Sequence, residues 1–314
     1  GAITTGQRPG VDASRCRKCG AWRVDAQIGI ESTPEEYVTR LVEVFREVRR
    51  VLRGDGTLWL NLGDSYANDT KWGGASGGKH VEALHGNSGI GRGKRDTGLK
   101  AKDLVGVPWR VAFALQADGW YLRSDIIWAK PNPMPESVTD RPTKAHEYLF
   151  LLSKGERYYY DASAIAERAI NAGRVVKYDG SQKNCISGDA VNDRRTLIDR
   201  RTLIDRTITV GATRNSRTVW TIATEPYPEA HFATFPPDLV KPCVLAGSRV
   251  GDVVLDPFAG SGTTLYVARV FGRRYVVIEL NPEYHRLIRR RLERNLLIAV
   301  DPTTGAVAQT EAGE

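Results

Sequence analysis

The stretch from Asp256 to Thr264, which reads DPFAGSGTT, constrains the fold of this chain more than any other. It follows the apolar run VVL at 253–255 and leads into LYVARV at 265–270, so we predict a strand, a tight glycine turn and a helix. A second apolar run ends in Glu279. Glycines at such a turn let a ligand approach the backbone, and an acid after the next strand can accept hydrogen bonds from ribose hydroxyls. The pattern predicts a pocket for a nucleoside-containing cofactor at the carboxyl ends of parallel strands.

The rest of the chain alternates predicted helices and strands. A capping box formed by Thr33 and Glu36, with Pro34 in the first turn, begins a helix whose apolar positions repeat every three or four residues. We predict further strands at 57–62, 121–129, 147–153 and 218–222, and further helices near 103–117, at 237–246 and at 282–296. This alternation is typical of an α/β fold with a mostly parallel central sheet and helices on both faces.

The charge balance of the chain bears on its partners. Its 45 Lys and Arg residues outnumber its 37 Asp and Glu residues, which gives a net charge of +8 and favours a polyanion partner. We expect the basic residues of 71–102 and 165–217 to contact phosphates, with a solvated basic loop as the less favoured interpretation of the first stretch. No run approaches the roughly 18 apolar residues of a membrane span, and no secretory leader opens the sequence. We therefore expect a soluble intracellular protein.

The cysteines raise the question of a metal site. Cys16 and Cys19 form a Cys-x-x-Cys pair, which can supply half of a tetrahedral zinc site. No second pair follows at a convincing spacing, and the nearest downstream histidine is His80. Free thiols on a loop remain an equally good interpretation of Cys16 and Cys19.

The DPFAGSGTT string resembles the S-adenosylmethionine motif of the beta-class DNA amino-methyltransferases, which methylate the exocyclic amine of adenine or cytosine. The likeness runs from about Ile28 to Leu297 and leaves 165–218 unmatched. Other segments that resemble this family, in its order, are GTLWLNLGDSY at 56–66, WAKPNP at 128–133, Arg141, His146-Glu147 and HFATFP at 231–236. The resemblance implies a Rossmann-like methyltransferase fold with an inserted target-recognition region, S-adenosylmethionine as cofactor and double-stranded DNA as partner.

The resemblance also implies roles for individual residues. Glu279 would hold the ribose, and Asn281 would lie against the adenine. The residues that would line the cofactor or begin the helix facing it are Asp256, Phe258, Gly260, Gly262, Thr263 and Thr264, and those bordering its methionine moiety are His231, Phe232 and Phe235. Asp64 and Tyr66 are candidates for the substrate cleft, although a turn-capping Asp and a packing Tyr explain them equally well.

One motif of the family has no counterpart in this sequence. Its catalytic tetrapeptide, Asp/Ser/Asn-Pro-Pro-aromatic, is expected upstream of the helix that Thr33 caps, and the 314 residues do not contain it. In the family it accepts the hydrogen bonds of the target amine and stacks an aromatic ring on the flipped base. The same stretch would supply a central strand between the cofactor strand and the strand at 57–62. We therefore expect an upstream segment in the native protein that carries the tetrapeptide, together with the remaining ligands for Cys16 and Cys19.

We predict five segments along the chain. They are a loop or insertion with the candidate zinc half-site at 1–31, a catalytic part of the methyltransferase core at 32–164, a variable target-recognition region at 165–218, a cofactor-binding part at 219–298 and a disordered tail at 299–314. The predicted function is site-specific methylation of DNA at the exocyclic amine of a flipped base, in the cytoplasm of a bacterial or phage-infected cell. The order of segments from Trp128 to Ser153 favours N4 of cytosine over N6 of adenine.

Three alternatives stay open at the level of sequence. The chain could be an inactive module that keeps its cofactor and DNA contacts but lacks the amine clamp. It could methylate RNA or another acceptor, because the cofactor motif alone does not name the acceptor. A Rossmann-type oxidoreductase is disfavoured, because the turn lacks the third glycine of the dinucleotide fingerprint and lies late in the chain.

Overall fold

The protein is seen as a computed structural model that describes residues 28–29, 31, 33–67, 98–178, 206–209, 211–225, 235–294, 299–300 and 307–308. Its helices in these ranges are α1 Pro34–Val51, α2 Val107–Ala117, α3 Pro237–Gly247, α4 Thr263–Val270 and α5 Pro282–Arg294. Its strands are β1 Thr57–Leu62, β2 Tyr121–Ala129, β3 His146–Ser153, β4 Glu167–Arg168, β5 Val175–Tyr178, β6 Arg206–Thr209, β7 Thr213–Arg214, β8 Val219–Thr221, β9 Val253–Asp256, β10 Arg274–Val277, β11 Ala299–Val300 and β12 Val307–Ala308. Two compact units result, one of Gly1–Val51 with Leu62–Trp120 and one of Leu52–Asn61 with Tyr121–Glu314.

The first unit is built on the packing of α1 against α2. The predicted cap of α1 is confirmed, because the Thr33 hydroxyl accepts a hydrogen bond from the Glu36 backbone N–H at 3.1 Å. The apolar stripe of α1 is buried, with Phe45 only 2% exposed. Arg110 of α2 donates to the Glu35 carboxylate at 2.7 Å and ties the two helices together at their amino-terminal ends. Each helix in the described ranges is too short or too polar to cross a membrane.

Helix α2 begins four residues later than its sequence predicts. Residues just before it are held extended by backbone hydrogen bonds, from Ala67 N–H to the Asp103 carbonyl at 2.8 Å and from Val105 N–H to the Ser65 carbonyl at 2.9 Å. Gly106 then adopts φ 74° immediately before the helix. Residues 103–105 are therefore paired with the distant segment 65–67, and the helix begins only after Gly106.

The second unit contains a four-stranded sheet in the order β1-β3-β2-β8. Strand β2 runs antiparallel to β3 and parallel to β8, so β2 and β8 end at the same edge. Helix α3 covers one face through Leu239 and Cys243, which pack with Trp128 and Trp220. The Cys243 thiol donates to the Leu239 carbonyl, and its burial raises its pKa far above the ordinary value, so it is an apolar core residue.

A separate parallel pair, β10-β9, lies in the same unit. One face of this pair carries Tyr275 and Val277, which pack with Leu265 of α4 and Ile288 of α5. Within the described ranges no strand connects this pair to the four-stranded sheet. The parallel register places the ends of β9 and β10 side by side, where the turn after β9 meets the residues after β10.

Short antiparallel ribbons, β4 with β7 and β5 with β6, come from the segment predicted to recognise the target. Glu167 of β4 is the centre of the first ribbon. Its carboxylate accepts hydrogen bonds from the Arg217 backbone N–H and guanidinium, both at 3.0 Å, and from the Arg214 guanidinium at 3.2 Å. The Arg217 backbone N–H and then the two guanidinium groups hold the pKa of Glu167 below its ordinary value.

Replacing Glu167 with glutamine is expected to lower the free energy of unfolding by about 1 kcal/mol at pH 7, because the amide loses the charge that both arginines contact. The folded pKa lies below the unfolded one. The stabilisation is therefore complete above the ordinary value of 4.5 and is lost as the pH falls through the folded value. Urea denaturation of both proteins at pH 7 and pH 3 measures this, with the exposed Glu156 changed to glutamine as control. An equal difference at both pH values contradicts the prediction.

Candidate functional site

The turn after β9 is a compact loop whose backbone favours glycine at two positions. Gly260 has φ 51° and Gly262 has φ 82°, both in the left-handed region. The Asp256 carboxylate accepts the Phe258 backbone N–H at 2.9 Å, and the Ala259 carbonyl accepts the Gly262 N–H at 2.8 Å. These hydrogen bonds fix the backbone of the turn.

Glu279 joins this turn to the residues after β10. One carboxylate oxygen accepts the Gly260 backbone N–H at 2.7 Å, and the other accepts the Asn281 backbone N–H at 2.8 Å. The Asn281 side-chain oxygen accepts the Glu283 N–H at 3.0 Å and caps α5. The structure therefore brings together the glycine turn and the strand-end acid, which lie 19 residues apart in the sequence.

The turn presents a mixed polar and apolar surface. Phe258 is 47% exposed, whereas Ala259, Ser261 and Thr263 are buried. Helix α4 starts at Thr263 with Gly262 in the cap position, so no side chain accepts its first backbone N–H groups. Such a helix start carries a partial positive charge. A carboxylate, backbone donors and an exposed ring around one turn are suited to a nucleoside with polar substituents.

Of the three residues predicted to border the methionine moiety of the cofactor, the structure describes Phe235. Phe235 packs as a partly buried side chain against the core cluster that contains Trp128 and Trp220. His231 and Phe232 lie outside the described residues. The role of all three residues at the methionine moiety stays a prediction.

Asp64 caps α2 in the first unit. Its Oδ1 atom accepts backbone N–H groups from Ser65 at 2.9 Å, Gly106 at 2.9 Å and Val107 at 3.0 Å. Tyr66, two residues after Asp64, pairs with Leu104 in a single antiparallel β-bridge. Of the two interpretations left open by the sequence, this geometry favours capping for Asp64.

Replacing Asp64 with alanine is expected to lower the free energy of unfolding by about 2 kcal/mol, because the start of α2 loses its acceptor. The dissociation constant for the cofactor should stay unchanged. Asp64→Asn should lose less stability, since its amide oxygen can still accept. Thermal unfolding and cofactor titration measure the two effects. If Asp64→Ala were as stable as wild type but inactive, the result would contradict capping and favour a role for Asp64 in the substrate cleft.

A polar cluster at the carboxyl end of β2 brings together residues of two segments that resemble the family, WAKPNP and His146-Glu147. Lys130 pairs with the Glu147 carboxylate, and its ammonium lies 4.3 Å from the centre of the Trp128 ring. Just beyond, the Asn132 side chain accepts the Thr224 N–H at 2.9 Å and donates to the Thr224 carbonyl at 3.1 Å. These contacts fix the edge where β2 and β8 end.

The zinc hypothesis has no structural support. Cys16 and Cys19 lie outside the described residues, and among the residues that are described no three His, Cys, Asp or Glu side chains form a group that could hold a metal ion.

Residues 11–290 match the family described as DNA methylase (N6_N4_Mtase). The chain is 48% identical over 268 residues to the type II methyltransferase M.SmaI of Serratia marcescens, covering 85% of this chain and 78% of that protein. It is 45% identical over 270 residues to the type II methyltransferase M.Cfr9I of Citrobacter freundii, covering 86% and 76%. The solved PvuII DNA methyltransferase (cytosine-N4-specific) shares the fold, with a TM-score of 0.52 at 18% identity over 82% of this chain and 71% of that one.

Proposed function

This chain belongs to the DNA methylase family N6_N4_Mtase, and on that premise we propose that it moves a methyl group from S-adenosylmethionine to an exocyclic amine of a base in double-stranded DNA. The observation that carries the proposal is the contact between the Glu279 carboxylate and the Gly260 N–H at 2.7 Å, which assembles turn and acid into one site. Identities of 45% and 48% to two type II methyltransferases support the same reaction class.

The residues of the turn fit the cofactor. A Cβ placed on Gly260 meets no described atom within 4 Å, so the backbone is open on that side and a ligand can approach it closely. Glu279 would accept hydrogen bonds from the two ribose hydroxyls, and the half-exposed Phe258 ring would cover apolar ligand surface. Asn281 lies two residues beyond Glu279 and would border the adenine. The cofactor supplies an electrophilic methyl group on a sulfonium centre.

The exocyclic amine that receives the methyl group must be held in position by hydrogen-bond acceptors. The lone pair of an exocyclic amine is delocalised into the base, so the amine attacks a methyl group poorly unless acceptors hold its hydrogens in place. In the family pattern those acceptors belong to the Pro-Pro-aromatic tetrapeptide, which is not among the 314 residues. We therefore assign no catalytic residue within this chain.

For the target we propose N4 of cytosine in a flipped base, on the order of the segments from Trp128 to Ser153. The segment 165–218 would read the recognition sequence, with its Lys and Arg residues on phosphates and a correspondingly salt-sensitive affinity. A bacterial restriction-modification system, acting in the cytoplasm, is the setting we propose.

The test is nucleoside mass spectrometry of unmethylated bacterial DNA after incubation with S-adenosylmethionine. The reaction is run with residues 1–314 and with a form that also carries the expected tetrapeptide segment, so that the absence of the amine clamp is separated from a wrong function. We expect N4-methylcytosine from the form that carries this segment. N6-methyladenine would correct the target base. Methylated RNA without methylated DNA would show that RNA is the methyl acceptor. Cofactor binding without any methylated product would support an inactive binding module.

A further inference from the structure

One face of α5 is directed at the proposed cofactor turn. His285, Ile288 and Arg291 are spaced three residues apart and share that face. The His285 Nε2–H donates to the Glu279 carbonyl at 2.9 Å, and Ile288 lies so close to Gly262 that a Cβ there would be 3.1 Å from its Cγ1 atom.

Arg291 makes the polar contacts on this face. Its Nη1 atom donates to the Ser261 carbonyl at 3.2 Å, to the Ser261 hydroxyl at 3.2 Å and to the Thr263 hydroxyl at 2.8 Å. Ser261 and Thr263 are each only 3% exposed. Buried hydroxyl and carbonyl groups require partners, and the guanidinium satisfies them on both sides of Gly262. It also lies 5.6 Å from the centre of the Tyr266 ring.

The electrostatics of α4 do not explain this placement. A positive charge beside a helix amino terminus opposes the helix dipole and destabilises the helix by roughly 0.3–1 kcal/mol. The neighbouring Arg286, Arg289 and Arg290 of α5 are exposed, but Arg291 is partly buried. Contact with the turn, rather than helix stability or a solvated surface, accounts for the position of Arg291.

We propose that Arg291 is a positioning residue for the cofactor, because its guanidinium holds the turn at 260–263 in the conformation that binds S-adenosylmethionine. The inference rests on the proposed function. Arg291 acts through the backbone and hydroxyls of Ser261 and Thr263, and its task is to keep the Gly260 N–H and the start of α4 in place. Loss of the guanidinium frees the turn and weakens cofactor binding, whereas DNA binding and the chemical step are unaffected.

The test is calorimetric titration of S-adenosylmethionine into wild type, Arg291→Gln, Arg291→Lys and Arg289→Gln. Arg291→Gln is expected to raise the dissociation constant about tenfold. Arg291→Lys should recover part of the affinity because it keeps one donor group. Arg289→Gln, an exposed arginine on the same helix, should bind like wild type. Partial unfolding of a variant lowers the binding stoichiometry and leaves the dissociation constant of the folded fraction unchanged, so a purely structural role gives a different result.

Hydrogen exchange of the peptide covering 256–264, measured without cofactor, provides an independent readout. Faster exchange in Arg291→Gln but not in Arg289→Gln supports the inference. Wild-type binding with an unchanged dissociation constant in Arg291→Gln overturns the inference and leaves the proposed function standing. Failure of the wild type to bind S-adenosylmethionine overturns both.

Discussion

Replacing Glu279 with alanine is expected to raise the dissociation constant for S-adenosylmethionine about a hundredfold, which corresponds to about 2.7 kcal/mol of binding free energy. Two losses add. The ribose hydroxyls lose a charged acceptor, and the Gly260 N–H loses the partner that holds it at 2.7 Å. Calorimetric titration measures the change directly.

A neighbouring acid serves as the control for Glu279. Glu283 lies in the first turn of α5 and is exposed, so Glu283→Ala removes the same charge close to the site without touching the turn. The dissociation constant of Glu283→Ala for S-adenosylmethionine should stay within about twofold of wild type, since an exposed charge contributes little to the binding free energy. Equal losses in the two variants would mean that general electrostatics, and not the Glu279 contact, governs binding.

Replacing Gly262 with alanine is expected to weaken S-adenosylmethionine binding about thirtyfold, or about 2 kcal/mol. An alanine at φ 82° is strained, and its Cβ would lie 3.1 Å from the Ile288 side chain, so either the turn or α5 must shift. Because the buried Ser261 and Thr263 flank this glycine, a shift there disrupts the whole turn.

Gly251 provides a matched control for Gly262. It has φ 83°, almost the same backbone conformation, but a Cβ placed on it meets no described atom within 4 Å. Gly251→Ala should therefore lose stability through backbone strain, about 1 kcal/mol, and bind the cofactor normally. Thermal unfolding and cofactor titration of both variants separate strain from site geometry. Normal binding by Gly262→Ala would refute the assignment of the cofactor turn.

Local sequence signals predicted most of the elements that position the site. The capping box at Thr33 predicted the start of α1, and runs of apolar residues predicted β1 and β2 with their observed bounds. The Rossmann-like α/β methyltransferase fold is confirmed by the shared fold of the PvuII enzyme. The predicted start of α2 was wrong, because hydrogen bonds with Ser65 and Ala67, far away in the sequence, hold the preceding residues extended.

The spacing of the glycines and the acid in the sequence predicted that Gly260 and Glu279 belong to one site, and the structure shows their contact. Two other features could not be predicted because their partners are remote. Asp64 binds the start of α2 across 43 residues, and Arg291 reaches Ser261 across 30 residues. Helical periodicity places Arg291 on the same side of α5 as Ile288 and away from the three exposed arginines, but its partner Ser261 becomes apparent only when α5 packs against the turn.

The measurement that tests the account most directly is transfer of a tritiated methyl group from S-adenosylmethionine to unmethylated genomic DNA. The form that carries the expected tetrapeptide segment is compared with its Glu279→Ala variant, at a cofactor concentration near the wild-type dissociation constant. The account predicts label in DNA with the wild type and a loss of about fiftyfold with the variant, which follows from a hundredfold weaker affinity. Label transferred equally by both proteins, or no label from a wild type that is folded, would contradict it.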